Sequence, residues 1–127
     1  MTELPKVLHV EDDSDIREIA CLALEAIGGL SLVQCASGPE ALSKAQAATP
    51  DVLLLDVMMP GMSGVETLAE LRKLPGLETT PAVFMTARAQ LSEVEELRAL
   101  GAVAVITKPF DAMTLAEELI SIWRGTL

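Results

Sequence analysis

Five short apolar runs alternate with helical patterns along the chain, and this alternation limits the fold more than any other feature. The apolar runs occupy residues 6–10, 31–35, 51–55, 82–86 and 103–107. Short runs of this kind, bounded by Gly, Pro or polar residues, are typical of strands buried on both faces. Strict alternation of strands and helices with short linkers predicts a parallel sheet covered by helices on both sides.

The helical segments carry recognisable start and stop signals. The first helix is predicted over about residues 15–28, and Gly28-Gly29 ends it. Its apolar face is predicted to contain Ile16, Ile19, Ala20, Ala23 and Ile27. Polar residues suited to N-capping lie near the starts of the other four helices: Ser37, Ser63, Ser92 and Asp111. These signals complete five strand–helix units.

Acidic, hydroxyl and basic side chains lie where four of the predicted strands end. They are Glu11, Asp12, Asp56, Thr86 and Lys108. Because the carboxyl ends of parallel strands share one edge of a sheet, we expect these side chains to meet there. A carboxylate at the end of a buried strand is poorly solvated and needs a metal, a lysine or hydrogen bonds. The other strand ends offer such partners.

Composition and charge exclude several classes of partner. The formal net charge is −10, which argues against direct DNA binding because phosphate contacts need clustered Lys and Arg. No apolar stretch approaches the ~20 residues of a membrane span, and the first residues lack the layout of a signal peptide. We therefore expect a cytoplasmic protein with no membrane contact, consisting of one domain over residues 1–127 with no output domain.

Three residues of types that often bind metals are expected to be structural. Cys21 and Cys35 lack metal-ligand spacing and are predicted to be buried, reduced thiols. His9 lies inside the first predicted strand and is predicted to be buried and hydrogen-bonded rather than a ligand or phosphodonor. The acidic residues at the strand ends are therefore the candidates for cation binding.

The sequence resembles the receiver domain of two-component response regulators over essentially its whole length. The matching segments are Glu11-Asp12, Asp56 with Met59-Pro60-Gly61 and Gly64, Thr86-Ala87, Gly101-Ala102 and Lys108-Pro109-Phe110. Each segment alone is weak evidence, but their order and spacing together are very specific. The resemblance implies an α/β, flavodoxin-like, doubly wound (βα)5 fold with a five-stranded parallel sheet in the order 2-1-3-4-5.

The resemblance also implies a role for each strand-end residue. Asp56 is expected to be the phospho-acceptor, which takes a phosphoryl group from a phosphohistidine on a partner protein. Mg²⁺ is expected to bind Asp12 and Asp56 directly, Glu11 through water, and the backbone carbonyl of Met58. These oxygen ligands suit the ion. Lys108 is expected to contact the phosphoryl oxygens, aimed by a cis Lys-Pro bond, and Thr86 to donate its hydroxyl to one of them.

By the same resemblance, the chain is a signalling protein rather than a conventional enzyme. It is expected to catalyse its own phosphorylation and dephosphorylation. Its partners are expected to be a sensor histidine kinase or a histidine phosphotransfer protein, and a target bound through the α4-β5-α5 face. Met58 and Arg88 occupy positions that influence water access in the family. One departure stands out: Val105 replaces the Tyr or Phe that receivers usually carry there, so the switch is expected to differ.

Three other functions remain open at this stage. An Mg²⁺-dependent phosphatase with an aspartyl nucleophile usually has a second Asp two residues later, where this chain has Met58. A cofactor-binding flavodoxin-like protein needs a phosphate-binding loop after the first strand, where this chain has Glu11-Asp12-Asp13. A receiver-like scaffold that no longer accepts phosphate is disfavoured by the complete set of acids, Thr and Lys, but Val105 keeps it open.

Overall fold

A computed structural model of the protein describes residues 4–87 and 90–127. It contains five strands and five helices that alternate along the chain. The strands are β1 (Lys6–Val10), β2 (Ser31–Cys35), β3 (Val52–Asp56), β4 (Ala82–Thr86) and β5 (Ala104–Thr107). The helices are α1 (Ser14–Cys21, continued by a π-helical segment Leu22–Ile27), α2 (Gly38–Ala48), α3 (Gly64–Leu71), α4 (Leu91–Ala99) and α5 (Leu115–Arg124). The strands agree with the predicted runs to within one residue.

The five strands form one parallel sheet in the order β2-β1-β3-β4-β5. This order confirms the doubly wound, flavodoxin-like fold. Because every strand runs in the same direction, the carboxyl ends of all five lie along one edge of the sheet. Within the described residues, no helix is long and apolar enough to cross a bilayer.

Alternate residues of the strands supply two separate hydrophobic layers. One layer packs β1, β3 and β4 against the inner sides of α2, α3 and α4, through residues such as Leu8, Leu55, Phe84, Leu68 and Leu97. The other packs the opposite face against α1 and α5, through residues such as Val7, Leu54, Met85, Leu24 and Leu119. Trp123 belongs to this second layer and is buried. Both faces of the sheet are therefore covered, as its continuous apolar strands predict.

The apolar face predicted for the first helix is partly wrong. Ala20 and Ala23 are buried as predicted, but Ile19 and Ile27 are 47% and 50% exposed, and Leu24 is fully buried instead. The π-helical segment Leu22–Ile27 explains the difference at Ile27, because its wider turns rotate the following residues relative to an ideal α-helix. The hydrophobic pattern predicted the helix but not its change of winding.

Two of the four predicted N-caps are confirmed and two are wrong. The Ser37 and Ser63 hydroxyls accept hydrogen bonds from the N–H groups of Glu40 and Glu66. Ser92 lies inside α4, which begins after Gln90 without a side-chain cap. The Asp111 carboxylate accepts from the Met113 N–H in a turn that precedes α5, which starts only at Leu115. A polar residue suited to N-capping is therefore not sufficient to fix a helix start.

Candidate functional site

The predicted site residues meet at the carboxyl edge of the sheet. Asp56 is the last residue of β3 and Thr86 is the last residue of β4, while Glu11 and Lys108 directly follow β1 and β5. By the alternation of strand side chains, Glu11, Asp56 and Lys108 continue the positions that face α1 and α5. Thr86 continues the opposite set, which faces α3 and α4. The topology thus groups one ammonium with two carboxylates and places the hydroxyl beside them.

Lys108 forms an ion pair with each buried carboxylate of the site. Its Nζ lies 2.6 Å from Oε1 of Glu11 and 2.9 Å from Oδ1 of Asp56. Glu11 and Asp56 are 1% and 3% exposed, so neither carboxylate is solvated by bulk water. The peptide bond between Lys108 and Pro109 is cis, as the family resemblance predicts. The backbone N–H of Lys108 also donates to the carbonyl of Thr86 at 2.8 Å, which ties the lysine to the end of β4.

Asp12 completes an acidic cluster suited to a cation. Glu11, Asp12 and Asp56 each contribute a carboxylate oxygen to a group whose members all lie within 4.8 Å of one another. Asp12 is exposed, so a cation could reach the cluster from solvent. Three carboxylates and one ammonium leave a local excess of negative charge, and hard oxygen donors are the ligands that Mg²⁺ prefers. The donor set therefore fits Mg²⁺, which Glu11, Asp12 and Asp56 could hold.

Burial and neighbouring charges change the proton affinities of the buried pair. The pKa of the Glu11 carboxyl is raised to about 7, mainly because the group is buried; the hydrogen bond from Lys108 opposes this rise, and Asp56 adds to it. Burial lowers the pKa of the Lys108 ammonium, but its hydrogen bonds to Glu11 and Asp56 outweigh burial, so this pKa is raised. Lys108 is therefore a fixed positive charge at neutral pH.

A close backbone approach fixes the position of Asp56. The first residue of α3, Gly64, packs so tightly that a Cβ there would lie 2.1 Å from the carbonyl oxygen of Asp56. The N–H of Gly64 donates to the carbonyl of Val57 at 2.9 Å. A complete capping box between Ser63 and Glu66 holds this end of α3. Only glycine permits this contact, which explains Gly64 in the motif.

Thr86 borders a cavity of about 210 Å³ between the β3–α3 loop and α4. Met58 is 78% exposed on the rim of this cavity, which Glu93, Glu96 and Leu97 also line. Val105 is half-buried and packs against the same hydrophobic layer as Leu97. Arg88, the other residue expected to flank the site, lies outside the described residues. The structure therefore places Thr86 and Met58 near Asp56 on the α4 side.

Sequence reasoning missed a polar network behind the acidic cluster. Nη1 of Arg17 donates to the backbone carbonyls of Glu11 and Asp12, at 2.8 and 3.1 Å. The side-chain amide of Gln34 donates to the Arg17 carbonyl at 2.8 Å and lies 3.1 Å from Nδ1 of His9. The spacing of Arg17 after the acid pair was a weak signal. The pairing of Gln34 with His9 depends on the β1–β2 register, which the sequence does not specify.

His9 is fully buried, as predicted, but it is only partly hydrogen-bonded. Its Nδ1 faces the amide of Gln34, whereas its Nε2 has no partner within the residues that the structure describes. Burial, followed by the charges of Lys108 and Arg17, lowers the pKa of His9 to about 4. The ring is therefore neutral at physiological pH. Cys35 is also buried, Cys21 is half-buried, and both are free thiols.

Comparisons with known proteins agree with this geometry. The model of the response regulator receiver domain family matches residues 7–120. Transcriptional regulatory protein CseB of Streptomyces avermitilis is 37% identical over 124 residues, which are 98% of this chain and 51% of that protein. Phosphate regulon transcriptional regulatory protein PhoB of Escherichia coli K12 is 34% identical over 121 residues, which are 94% of this chain and 52% of that protein. The chain thus spans about half the length of these curated relatives.

Solved structures match over almost their whole length. Chemotaxis protein CheY4 of Vibrio cholerae superposes with a TM-score of 0.86 at 34% identity, covering 94% of this chain and 99% of that one. The receiver domain of the Francisella response regulator 1452 superposes with a TM-score of 0.84 at 28% identity, covering 97% and 99%. Fold, strand-end residues and family match all agree: the chain belongs to the response regulator receiver domain family of two-component signalling systems.

Proposed function

We propose that the protein is a phospho-acceptor that receives a phosphoryl group on Asp56 from a phosphohistidine of a partner protein, in an Mg²⁺-dependent reaction. The observation that carries this proposal is the convergence on Asp56 of Lys108, 2.9 Å away, and of the carboxylates of Glu11 and Asp12. A receiver with this arrangement has both a nucleophile and the charges that phosphoryl transfer needs.

In the proposed reaction, a carboxylate oxygen of Asp56 attacks phosphorus. The new O–P bond forms as the P–N bond to the partner's imidazole breaks, and the imidazole leaves with the bonding pair and takes up a proton. Lys108 stabilises charge on the phosphoryl oxygens, because its Nζ already lies within hydrogen-bond distance of Asp56. Thr86 would donate its hydroxyl to one of these oxygens. Bound Mg²⁺ would neutralise further charge, held by Asp12, Asp56, Glu11 through water, and the Met58 carbonyl.

The same residues would support reversal of the modification by water. Water would attack phosphorus in line with the Asp56 oxygen; the P–O bond to Asp56 breaks as the new P–O bond forms, which releases inorganic phosphate and returns the carboxylate. Met58 lies on the open rim beside Asp56, so we propose that its side chain limits how water approaches. The protein would in this sense catalyse both its own phosphorylation and its own dephosphorylation without being a conventional enzyme.

The proposed partners follow from the site and its neighbours in the fold. A sensor histidine kinase or a histidine phosphotransfer protein would supply the phosphoryl group. The target would bind the face formed by α4, β5 and α5, because Thr86 ends β4 and Lys108 directly follows β5, which connects the site to that face. Direct DNA binding is not part of the proposal, since a net charge of −10 would repel phosphates. We propose that the protein acts in the cytoplasm.

Acetyl phosphate tests the phospho-acceptor directly. Incubation with acetyl phosphate and Mg²⁺ should add one phosphoryl group, detected by intact-protein mass spectrometry, because the small donor needs no partner protein. Asp56→Asn should abolish the addition. The matched control is Asp51→Asn, which changes the Asp that directly precedes the same strand. Equal labelling of wild type and Asp56→Asn would refute the assignment, and absence of labelling in wild type would favour a scaffold that no longer accepts phosphate.

A further inference from the structure

We propose that Arg17 is a positioning residue that holds the acidic loop after β1 in the shape that binds Mg²⁺. This inference rests on the proposed function and adds a residue to it. Arg17 lies in the first turns of α1, where it is half-buried. A single nitrogen of its guanidinium, Nη1, donates to two successive backbone carbonyls, those of Glu11 and Asp12. It contacts no carboxylate in the described network, so it acts on the ligands through their backbone.

The geometry of the loop shows why these hydrogen bonds from Arg17 are needed. In an extended strand, successive side chains point to opposite faces, so Glu11 and Asp12 would diverge. Here their carboxylate oxygens converge with that of Asp56 within 4.8 Å. The chain must therefore leave the strand geometry between Glu11 and Asp12. The two hydrogen bonds from Arg17 fix the orientation of both peptide groups at this point.

Arg17 is itself held in place by a hydrogen bond from β2. The Gln34 amide donates to the carbonyl of Arg17, and the same nitrogen lies against Nδ1 of His9, its register partner in β1. The N–H of Arg17 donates to the carbonyl of Asp13, whose side chain caps α1. A continuous set of hydrogen bonds thus connects the buried pair His9–Gln34, the start of α1 and the acidic loop. Residues that orient metal ligands through hydrogen bonds commonly affect metal affinity in this way.

A positioning role and a purely electrostatic role for Arg17 predict opposite changes in Mg²⁺ affinity when Arg17 is replaced. Arg17 carries a positive charge close to a cation site, so on electrostatic grounds its removal should tighten Mg²⁺ binding. If Arg17 instead positions the loop, Arg17→Met should weaken Mg²⁺ binding by about tenfold, the usual cost of losing a partner behind a metal ligand. The sign of the change therefore separates the two roles.

The test is an Mg²⁺ titration followed by NMR amide shifts, at a temperature where every variant gives a folded spectrum. Arg98→Met is the matched control, because it removes the same side chain from an exposed position on α4. Its Mg²⁺ affinity should equal that of wild type or be slightly higher. Arg17→Lys should restore part of the lost affinity, since it keeps a donor and the charge. Gln34→Leu should weaken Mg²⁺ binding by less than the tenfold expected for Arg17→Met, because it removes one hydrogen bond to the Arg17 carbonyl without removing a charge.

A second measurement, without metal, separates this inference from the proposed function. In metal-free protein, Arg17→Met should speed amide hydrogen exchange at residues 11–13 more than in the rest of the chain, whereas Arg98→Met should not. Unchanged or tighter Mg²⁺ binding by Arg17→Met would overturn the inference while leaving the phospho-acceptor site intact. If wild type binds no Mg²⁺, the proposed metal site fails, and with it the role of Arg17 in Mg²⁺ binding; faster exchange in Arg17→Met would then show only that Arg17 holds the loop.

Discussion

At the scale of single residues, the stability of the site depends on ion pairs between buried charges. Lys108 bridges Glu11 and Asp56, and both carboxylates are almost inaccessible to solvent. Removing one member of such a set leaves the others buried without a partner, which is more costly than losing an exposed ion pair. The chemistry of the site and the stability of the sheet edge therefore depend on the same side chains.

His9 gives the stability of the folded protein a pH dependence opposite in sign to that of the Glu11 carboxyl. Its pKa is lowered to about 4 in the folded protein, from an ordinary value of 6.5. The unfolded chain therefore takes up a proton below about pH 6.5, whereas the folded protein does so only near pH 4. The His9 contribution to the free energy of unfolding should consequently fall by up to about 3 kcal/mol as the pH falls through this window, whereas Glu11, whose pKa is raised to about 7, contributes with the opposite sign.

Urea denaturation between pH 4 and 7.5, in buffer with EDTA, would measure this effect. His9→Leu should remove the His9 contribution, so the difference in unfolding free energy between wild type and variant should change with pH inside this window and be constant above it. The charged groups that lower the pKa of His9 are Lys108 and Arg17, and both remain in the variant. A difference that is constant from pH 4 to 7.5 would show that His9 takes up its proton equally in both states.

At the scale of elements, the sequence predicted which segments are helices and strands better than it predicted their details. The strand runs were correct to within one residue because a strand buried on both faces is almost continuously apolar. The π-helical segment Leu22–Ile27, which packs against α5, was missed because its wider winding leaves no local signal in the hydrophobic pattern. Ser92 was a wrong cap because α4 already begins at Leu91.

The replacement of the usual aromatic by Val105 predicts how these elements respond to phosphorylation. No large ring is available to swing inward, and Val105 is too small to fill the space that such a ring would enter. Thr86 remains at the end of β4 and can approach a phosphoryl oxygen. We therefore expect the response to appear mainly after Thr86 and at the start of α4, at residues 87 and 90–92, whereas β5 changes little.

Beryllofluoride, a mimic of the phosphoryl group, tests this expectation without a partner protein. Amide shifts should be compared with and without beryllofluoride at constant Mg²⁺, with Asp56→Asn as the control that cannot bind the mimic. Val105→Tyr should extend the shifts into β5, because it restores a large ring on that strand that can swing inward. Larger shifts at residues 103–107 than at 87 and 90–92 in wild type would contradict the prediction.

At the scale of the whole molecule, topology explains why so much of the site could be predicted. A parallel sheet brings the ends of β1, β3, β4 and β5 to one edge, so residues as far apart in the sequence as Glu11 and Lys108 become neighbours. Strand ends are visible in the sequence as the point where an apolar run stops. The Arg17–Gln34–His9 network could not be predicted in the same way, because its contacts depend on strand register and on side-chain direction.

The acidic cluster should also make the stability of the whole domain depend on Mg²⁺. A ligand that binds only the folded state stabilises it by about 1.4 kcal/mol when its concentration is tenfold above its dissociation constant. For a domain of this size, such a gain corresponds to a rise in melting temperature of roughly 5 °C. A titration of wild type into the tens of millimolar should show this rise.

Asp12→Asn distinguishes binding at the cluster from a general effect of salt. Asp12 is exposed and lies within 4.8 Å of two other carboxylates, so its neutralisation should relieve repulsion and raise the melting temperature slightly in metal-free buffer. The same variant loses a ligand, so its further rise with Mg²⁺ should be much smaller than in wild type. Asp111→Asn, at an exposed Asp outside the cluster, should behave as wild type. Equal Mg²⁺-dependent rises in wild type and Asp12→Asn would mean that the ion acts elsewhere, because a site that needs three carboxylates cannot lose one without losing affinity.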